Sequence, residues 1–133
     1  MRCKWAVILG LAGGVLGMPG WAEPPSGAAL FRHSCATCHG LAARGDGPMA
    51  SILAVPIPDL TLLSARAGGV FPLVRVVALI DGRDPLVAHG GPMPIFGFSL
   101  EADQEELGTP EGTTLRTGAE IAAIARWLES VQR

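Results

Sequence analysis

Two cysteines and a histidine stand close together early in the chain, in the run Cys35-Ala36-Thr37-Cys38-His39. Residues at positions i, i+3 and i+4 share one face of a helical turn, so both thiols and the imidazole would point to the same side. Three chemistries use a C-x-x-C pair: a tetrahedral zinc site, thiol–disulfide exchange and the covalent attachment of a haem group. Only haem attachment requires a histidine directly after the second cysteine.

The two competing chemistries lack the sequence context that they need. A structural zinc site takes four ligands, commonly as two pairs, and His89 has no second ligand close to it in the chain. A thioredoxin-like disulfide places its C-x-x-C at the start of a helix that follows a strand, whereas Cys35 falls at the end of a predicted helix. The motif therefore favours a haem bonded to Cys35 and Cys38, with His39 as a ligand of its iron.

The first 22 residues have the pattern of a secretory signal peptide. Arg2 and Lys4 precede an uncharged apolar run over residues 6–18, and small residues before the junction indicate cleavage after Ala22. The apolar run is shorter than the ~20 residues that a membrane span needs, so membrane attachment would require an uncleaved leader. We expect a signal peptide over residues 1–22 and a single periplasmic domain over residues 23–133.

Removal of this leader would leave an acidic chain of modest size. Eight arginines, no lysine and twelve acids then remain, which gives a net charge of −4. There is no basic run with interleaved aromatic residues, so the sequence does not favour nucleic-acid binding. Two cysteines are too few for a multi-bridge disulfide framework in an oxidising compartment. A loop-rich chain of this size is short of apolar surface to bury, and a large apolar cofactor would supply it.

Helix start and stop signals predict a mostly helical domain in which no strand is expected. The predicted helices cover residues 27–35, 48–53, 60–65 and 71–80, followed by a C-terminal helix after Thr117. Ser26 is the predicted N-cap of the first helix, and Thr117 with Glu120 forms a predicted capping box for the last. The acidic stretch 101–116, rich in Gly and Pro, is predicted to be a surface loop.

Together these features resemble the class I c-type cytochromes of mitochondria and bacteria over nearly the whole mature chain. The matching segments are G-x-x-x-F at 27–31, C-A-T-C-H-G at 35–40, G-D-G-P at 45–48, P-D-L at 58–60, H-G-x-x-M-P at 89–94 and A-R-W-L at 125–128. The attachment motif and Met93-Pro94 are the specific parts. The resemblance implies an all-α, loop-rich cytochrome c fold whose helices wrap around one covalently bound haem.

The second axial ligand of the iron has several candidates in the mature sequence. They are His33, Met49, His89 and Met93. His33 lies two residues before Cys35, so the backbone holds it on the same side of the haem as His39. Met49 lies in the predicted helix 48–53 and is interpreted as a core side chain rather than a ligand.

The resemblance favours Met93, because a methionine directly before a proline in the distal loop binds the iron in this family. His89 remains the alternative ligand, since bis-histidine ligation also occurs. The resemblance further implies that a proline carbonyl accepts a hydrogen bond from His39, a role predicted for Pro48. The first and last helices are also expected to pack on each other, with G-x-x-x-F at 27–31 meeting residues 127–128.

Iron with two protein ligands has no position for a substrate, so the predicted protein is an electron carrier and not an enzyme. It would transfer single electrons in the periplasm as a soluble carrier or as the cytochrome subunit of an exported redox enzyme. Its expected partners are a donor dehydrogenase and an acceptor oxidase or reductase. The alternative is a small haem enzyme or gas sensor with an open or displaceable distal position.

The charge pattern departs from that of the mitochondrial relatives, which use a ring of lysines to dock acidic partners. The mature chain has no lysine, and residues 101–111 carry five acids and no base. Acidic partners are therefore not favoured. The acidic stretch either attracts a basic partner or is simply solvated, and the salt dependence of association separates these two interpretations.

Overall fold

The structure is a computed structural model that describes residues 24–84, 91, 93–100 and 103–133. The predicted signal peptide and His89 lie outside the described residues. Within these ranges the elements are α1 (Gly27–Ser34), α2 (Ala36–His39), a 3-10 helix (Leu60–Leu62), α3 (Leu63–Arg66), α4 (Leu73–Asp81), β1 (Gln104–Gly108), β2 (Thr114–Gly118) and α5 (Ala119–Ser130). None of the helices in this described part is long and apolar enough to cross a bilayer.

Helices α1 and α5 cross at the centre of the core. Phe31 of α1 is fully buried, and its ring lies 4.5 Å from the ring of Trp127, centroid to centroid. Gly27 lies against α5 without room for a side chain, since a Cβ there would overlap the Ala123 carbonyl and lie 2.9 Å from the Trp127 Cβ. Leu128 belongs to the same buried cluster. The predicted packing of the first helix on the last is confirmed.

For every predicted helix except the one over residues 48–53, the start and the stop agree with the structure to within two residues. Ser26 caps α1, its hydroxyl accepting from the Ala29 N–H at 3.3 Å. Asp59 caps the 3-10 helix by accepting from the Thr61 N–H at 2.9 Å. Helix α4 ends at Asp81 and is followed by the C-cap residue Gly82, whose φ of +84° suits a glycine at this position.

The predicted helix over residues 48–53 is wrong. This segment forms successive turns, in which the Ala50 N–H donates to the Gly47 carbonyl and the Leu53 N–H donates to the Met49 carbonyl. Most of the segment faces solvent, so tertiary packing does not offset the cost of nucleating so short a helix. Met49 is 36% exposed and is not the core side chain that was predicted.

The prediction of a surface loop over residues 101–116 is also wrong for the described residues 103–116, because an antiparallel β-hairpin begins there. Strands β1 and β2 pair from Gln104 with Gly118 to Gly108 with Thr114. Thr117 therefore belongs to a strand and not to a capping box, and the N-cap of α5 is Gly118, without a side-chain cap. The small helical fold is retained, and the hairpin is an addition to it.

Candidate cofactor site

The C-x-x-C-H motif lies at the junction of α1 and α2, where Cys35 ends one helix and begins the next. The Cys35 N–H donates to the Phe31 carbonyl at 2.8 Å, and the Cys35 carbonyl accepts from the His39 N–H at 3.0 Å. Helical hydrogen bonding thus continues through the motif. This local geometry places residues 35, 38 and 39 on one face, as the spacing predicts.

A glycine-rich loop folds back onto the motif and fixes it. The Gly45 N–H donates to the His39 carbonyl at 2.9 Å, and the Gly47 N–H donates to the Cys38 carbonyl at 3.2 Å. A Cβ on Gly47 would lie 2.6 Å from the Cys38 and Thr37 carbonyl oxygens, so only glycine allows this approach. The loop therefore satisfies carbonyls that α2, at four residues, would leave unpaired.

Two adjoining cavities of about 150 and 260 Å³ open against this face. Both are lined by Cys35, His39, Pro58, Leu79 and Met93. The remaining lining is apolar except for Ser34 and Cys38; it comprises Phe31, Leu60, Leu63, Val76, Ile80, Ile124 and Leu128 in the smaller cavity and Leu53, Val55, Pro56, Ile57, Pro94 and Phe96 in the larger. We call the two cavities together the crevice.

Burial suppresses the reactivity of the first thiol. It raises the pKa of Cys35 to about 11, with a smaller contribution from neighbouring Cys38. No disulfide joins Cys35 to Cys38. Because the thiolate is the nucleophile in disulfide exchange, a thiol with so high a pKa is a poor exchange catalyst near neutral pH. The structure thus argues against the redox-motif interpretation.

The His39 imidazole is held neutral in the crevice wall. Burial lowers its pKa, and the backbone of Pro58 opposes this effect. The Nδ1 atom of His39 is buried, and no atom of the described residues forms a hydrogen bond with it. Neutral imidazole is the form that binds a metal. The prediction that Pro48 fills the acceptor role is wrong, because the proline beside His39 is Pro58, whereas Pro48 is exposed.

Met93 reaches the crevice from a loop that is tied to α4. The Phe96 N–H donates to the Ile80 carbonyl at 2.9 Å, and a Cβ on Gly97 would overlap the Asp81 carbonyl. Met93 itself is half-buried and packs against the core. Of the ligand candidates within the described residues it alone lines the crevice, since His33 and Met49 do not.

The donor set fits a haem group. Two thiols on one face match its two vinyl groups, while a neutral imidazole and a thioether could supply ligands for its iron. The apolar lining suits a porphyrin. The described residues hold no group of three or more His, Cys, Asp or Glu side chains that could bind a metal, which counts against a zinc site there.

The comparison with known families agrees with this geometry. Residues 25–132 match the family model described as Cytochrome c, so the chain belongs to the cytochrome c family. This family carries covalent haem c with its iron, typically one per domain, and functions in electron transfer. Searches of curated proteins and of solved structures gave no match.

Proposed function

We propose that this protein is an exported one-electron carrier in which Cys35 and Cys38 attach the haem and His39 and Met93 are the axial ligands of its iron. The observation that carries the proposal is the crevice, where the first thiol, the imidazole and the thioether meet in one apolar lining. When bound, the haem supplies an iron that alternates between the ferric and ferrous states.

The chain's own residues then set the properties of that iron. The apolar side chains of the crevice exclude water, and a thioether ligand favours the ferrous state, so the potential lies above that of a bis-histidine haem. The loop over residues 40–47 donates hydrogen bonds to the backbone carbonyls of Cys38 and His39 and so fixes the backbone that carries the imidazole, while the Pro58 backbone lies beside the ring. With two protein ligands in place, electrons pass singly and substrates have no site on the metal.

The proposed location is the periplasm, and the proposed partners are a donor dehydrogenase and an acceptor oxidase or reductase. The signal-peptide pattern of residues 1–22 supports export. The alternative, a haem enzyme or gas sensor, needs polar distal groups. The described lining of the crevice includes no arginine and no second histidine, so we retain that alternative only as an outcome of the ligand test.

Met93→Ala is the direct test of the axial ligand. The haem should remain covalently attached, because the two thioether bonds do not involve Met93. The ferric absorption band of Fe–S(Met) ligation should disappear, the potential should fall, and the iron should bind carbon monoxide and cyanide. Visible spectroscopy, a redox titration and ligand binding measure these three effects.

Met49→Ala is the matched control, because Met49 is partly exposed and does not line the crevice. It should keep both the absorption band and the potential. Loss of the band in Met49→Ala but not in Met93→Ala would refute the assignment. If neither variant lost it, His89→Ala would be the next variant to examine. Rapid carbon monoxide binding by the unmodified protein would favour a sensor.

A further inference from the structure

One wall of the crevice, the segment over residues 58–64, is held by two residues that lie beyond the end of α5. Three residues of this segment line the smaller cavity: Pro58, Leu60 and Leu63. The segment has only a 3-10 turn and the start of the four-residue α3 as its own regular structure, so contacts from elsewhere must fix it. Gln132 and Arg133 supply such contacts, and we call these two residues the latch.

Gln132 joins the wall segment to the end of α5. Its amide nitrogen donates to the Leu60 carbonyl at 2.8 Å and to the Leu128 carbonyl at 2.7 Å. Its amide oxygen accepts from the Ser64 N–H at 2.9 Å, in the first turn of α3. Because Leu60 and Leu128 both line the smaller cavity, this one side chain fixes two parts of the crevice wall relative to each other.

Arg133 holds the same segment through the backbone and the side chain of Thr61. The Arg133 N–H donates to the Thr61 carbonyl at 3.0 Å, and the Arg133 Nε donates to the Thr61 hydroxyl at 2.8 Å. Thr61 is buried, and its hydroxyl donates in turn to the carboxylate of Asp59. Since a buried polar group that loses its partner is costly, breaking these contacts should free the segment from its place.

The other side of the wall segment is tied to the loop over residues 40–47. The Leu60 N–H donates to the Ala43 carbonyl at 2.8 Å. The Pro58 backbone, two residues earlier, lies beside the imidazole of His39. Its position therefore depends on the loop next to the C-x-x-C-H motif and on the latch, whose bond to Leu60 spans 72 positions of the sequence.

We propose that Gln132 and Arg133 are positioning residues for His39, which hold the Pro58 backbone against the imidazole and keep water from its buried Nδ1. The inference rests on the proposed function, because the imidazole must be bound to iron through its other nitrogen. Groups beside a metal-bound imidazole fix its orientation and its proton. Since Nδ1 is buried, its proton reaches water only when the wall opens.

The test measures hydrogen exchange of the His39 Nδ1 proton in the ferrous, haem-loaded protein by nuclear magnetic resonance. Gln132→Ala removes three hydrogen bonds and should accelerate this exchange about tenfold or more, because the wall opens more often. Gln132→Met should do the same, since it keeps the length of the side chain without its hydrogen bonds. Arg133→Gln should give a smaller acceleration, because Gln132 still holds Leu60, and this variant decides the test if both Gln132 variants fail to fold.

Ser130→Ala is the matched control. The Ser130 hydroxyl donates to the Trp127 carbonyl at 2.7 Å, and Ser130 lines neither cavity. This variant therefore loses a hydrogen bond at the same end of α5, and the exchange of the imidazole proton should stay unchanged. An acceleration equal to that of Gln132→Ala would overturn the proposal.

Gly27→Ala separates local opening of the wall from global unfolding, because it weakens the α1–α5 crossing without touching the latch. The free energy of unfolding of each variant is measured beside its exchange rate. At an equal loss of stability, Gly27→Ala should accelerate the exchange less than Gln132→Ala does. Equal acceleration would mean that the latch has only a general structural role, and the proposal would be wrong.

Failure of this inference is distinguishable from failure of the proposed function. If the unmodified protein shows an iron-bound imidazole but the latch variants exchange at the same rate, only the positioning role is refuted. The same holds if the Nδ1 proton of the unmodified protein exchanges as fast as that of a free imidazole. A haem that has no histidine ligand in the unmodified protein would refute the proposed function itself.

Discussion

The α1–α5 crossing and the crevice share Phe31 but are completed in different ways. At the crossing, the polypeptide supplies both surfaces: the ring of Phe31 packs on Trp127, and Gly27 lets the two backbones meet. In the crevice, the chain supplies only the lining, an apolar wall around Cys35 and His39. One region is specified by complementary side chains, and the other by a chemical motif.

This difference shows how a small chain divides the task of building a core. A single helix crossing buries a limited amount of apolar surface, and short loop-rich domains are marginal without a further stabilising element. In the proposed arrangement, the apolar surface of the haem adds to the core on the crevice side. Changes in side-chain volume should therefore destabilise the α1–α5 crossing, whereas loss of covalent haem attachment should destabilise the crevice.

The largest expected effect comes from removing both proposed attachment residues. In Cys35→Ala with Cys38→Ala, the haem loses its covalent bonds, and we expect no stable holoprotein to accumulate. The haem retained after acid–organic extraction measures covalent attachment, and the cooperativity of thermal unfolding measures the stability of the fold. A cooperative transition like that of the unmodified protein would show that the crevice is stable without its cofactor. It would contradict the distinction between the crevice and the α1–α5 crossing.

A smaller effect is expected at the crossing. Gly27→Ala introduces a Cβ that overlaps the Ala123 carbonyl, so the helices must separate, and the free energy of unfolding should fall by about 1–3 kcal/mol. Denaturant unfolding measures the change. The absorption band of the haem should be unaffected, because the crossing does not supply a ligand.

Gly108→Ala is the control for this substitution. A Cβ at Gly108 has no neighbour within 4 Å among the described residues, and its φ lies outside the positive range. Its effect on stability should stay within about 0.5 kcal/mol. Equal losses in the two variants would mean that Gly27 has no special role in the crossing.

The smallest expected effect concerns the contact that joins the C-terminus to the crevice wall. Asp59, next to Pro58, accepts a hydrogen bond from the Thr61 hydroxyl, and its second carboxylate oxygen lies 2.8 Å from the Arg133 guanidinium. The Thr61 hydrogen bond is the main cause that lowers the pKa of Asp59, and Arg133 adds to it. Because the folded pKa is depressed, the stabilisation is present above the unfolded pKa and disappears as the pH falls through the folded value.

Asp59→Asn should therefore lower Tm slightly at neutral pH, with a difference that shrinks below about pH 4 and vanishes in stronger acid. Thermal unfolding at a series of pH values measures it. Arg133→Gln should reproduce part of the neutral-pH effect. A Tm difference that persisted unchanged in acid would contradict a role for the Asp59 charge.

Local signals predicted a large part of the framework. Ser26, Asp59 and Gly82 mark helix ends through hydrogen bonds or backbone angles that single residues control, so these boundaries could be read directly. The hairpin was missed because β1 is polar and acidic and β2 is mostly polar. Its buried positions are Leu107, Thr117 and Gly118, which do not form an alternating pattern.

The sequence by itself predicted the attachment chemistry, because the spacing of Cys35, Cys38 and His39 places them on one face of a helical turn without any distant contact. Only the tertiary structure decided which proline lies against the imidazole, since Pro48 and Pro58 both follow the motif and differ in how the chain folds back. The tertiary structure also leaves Met49 partly exposed and places Met93 in the lining of the crevice. These outcomes depend on packing between residues far apart in the chain, which no local pattern encodes.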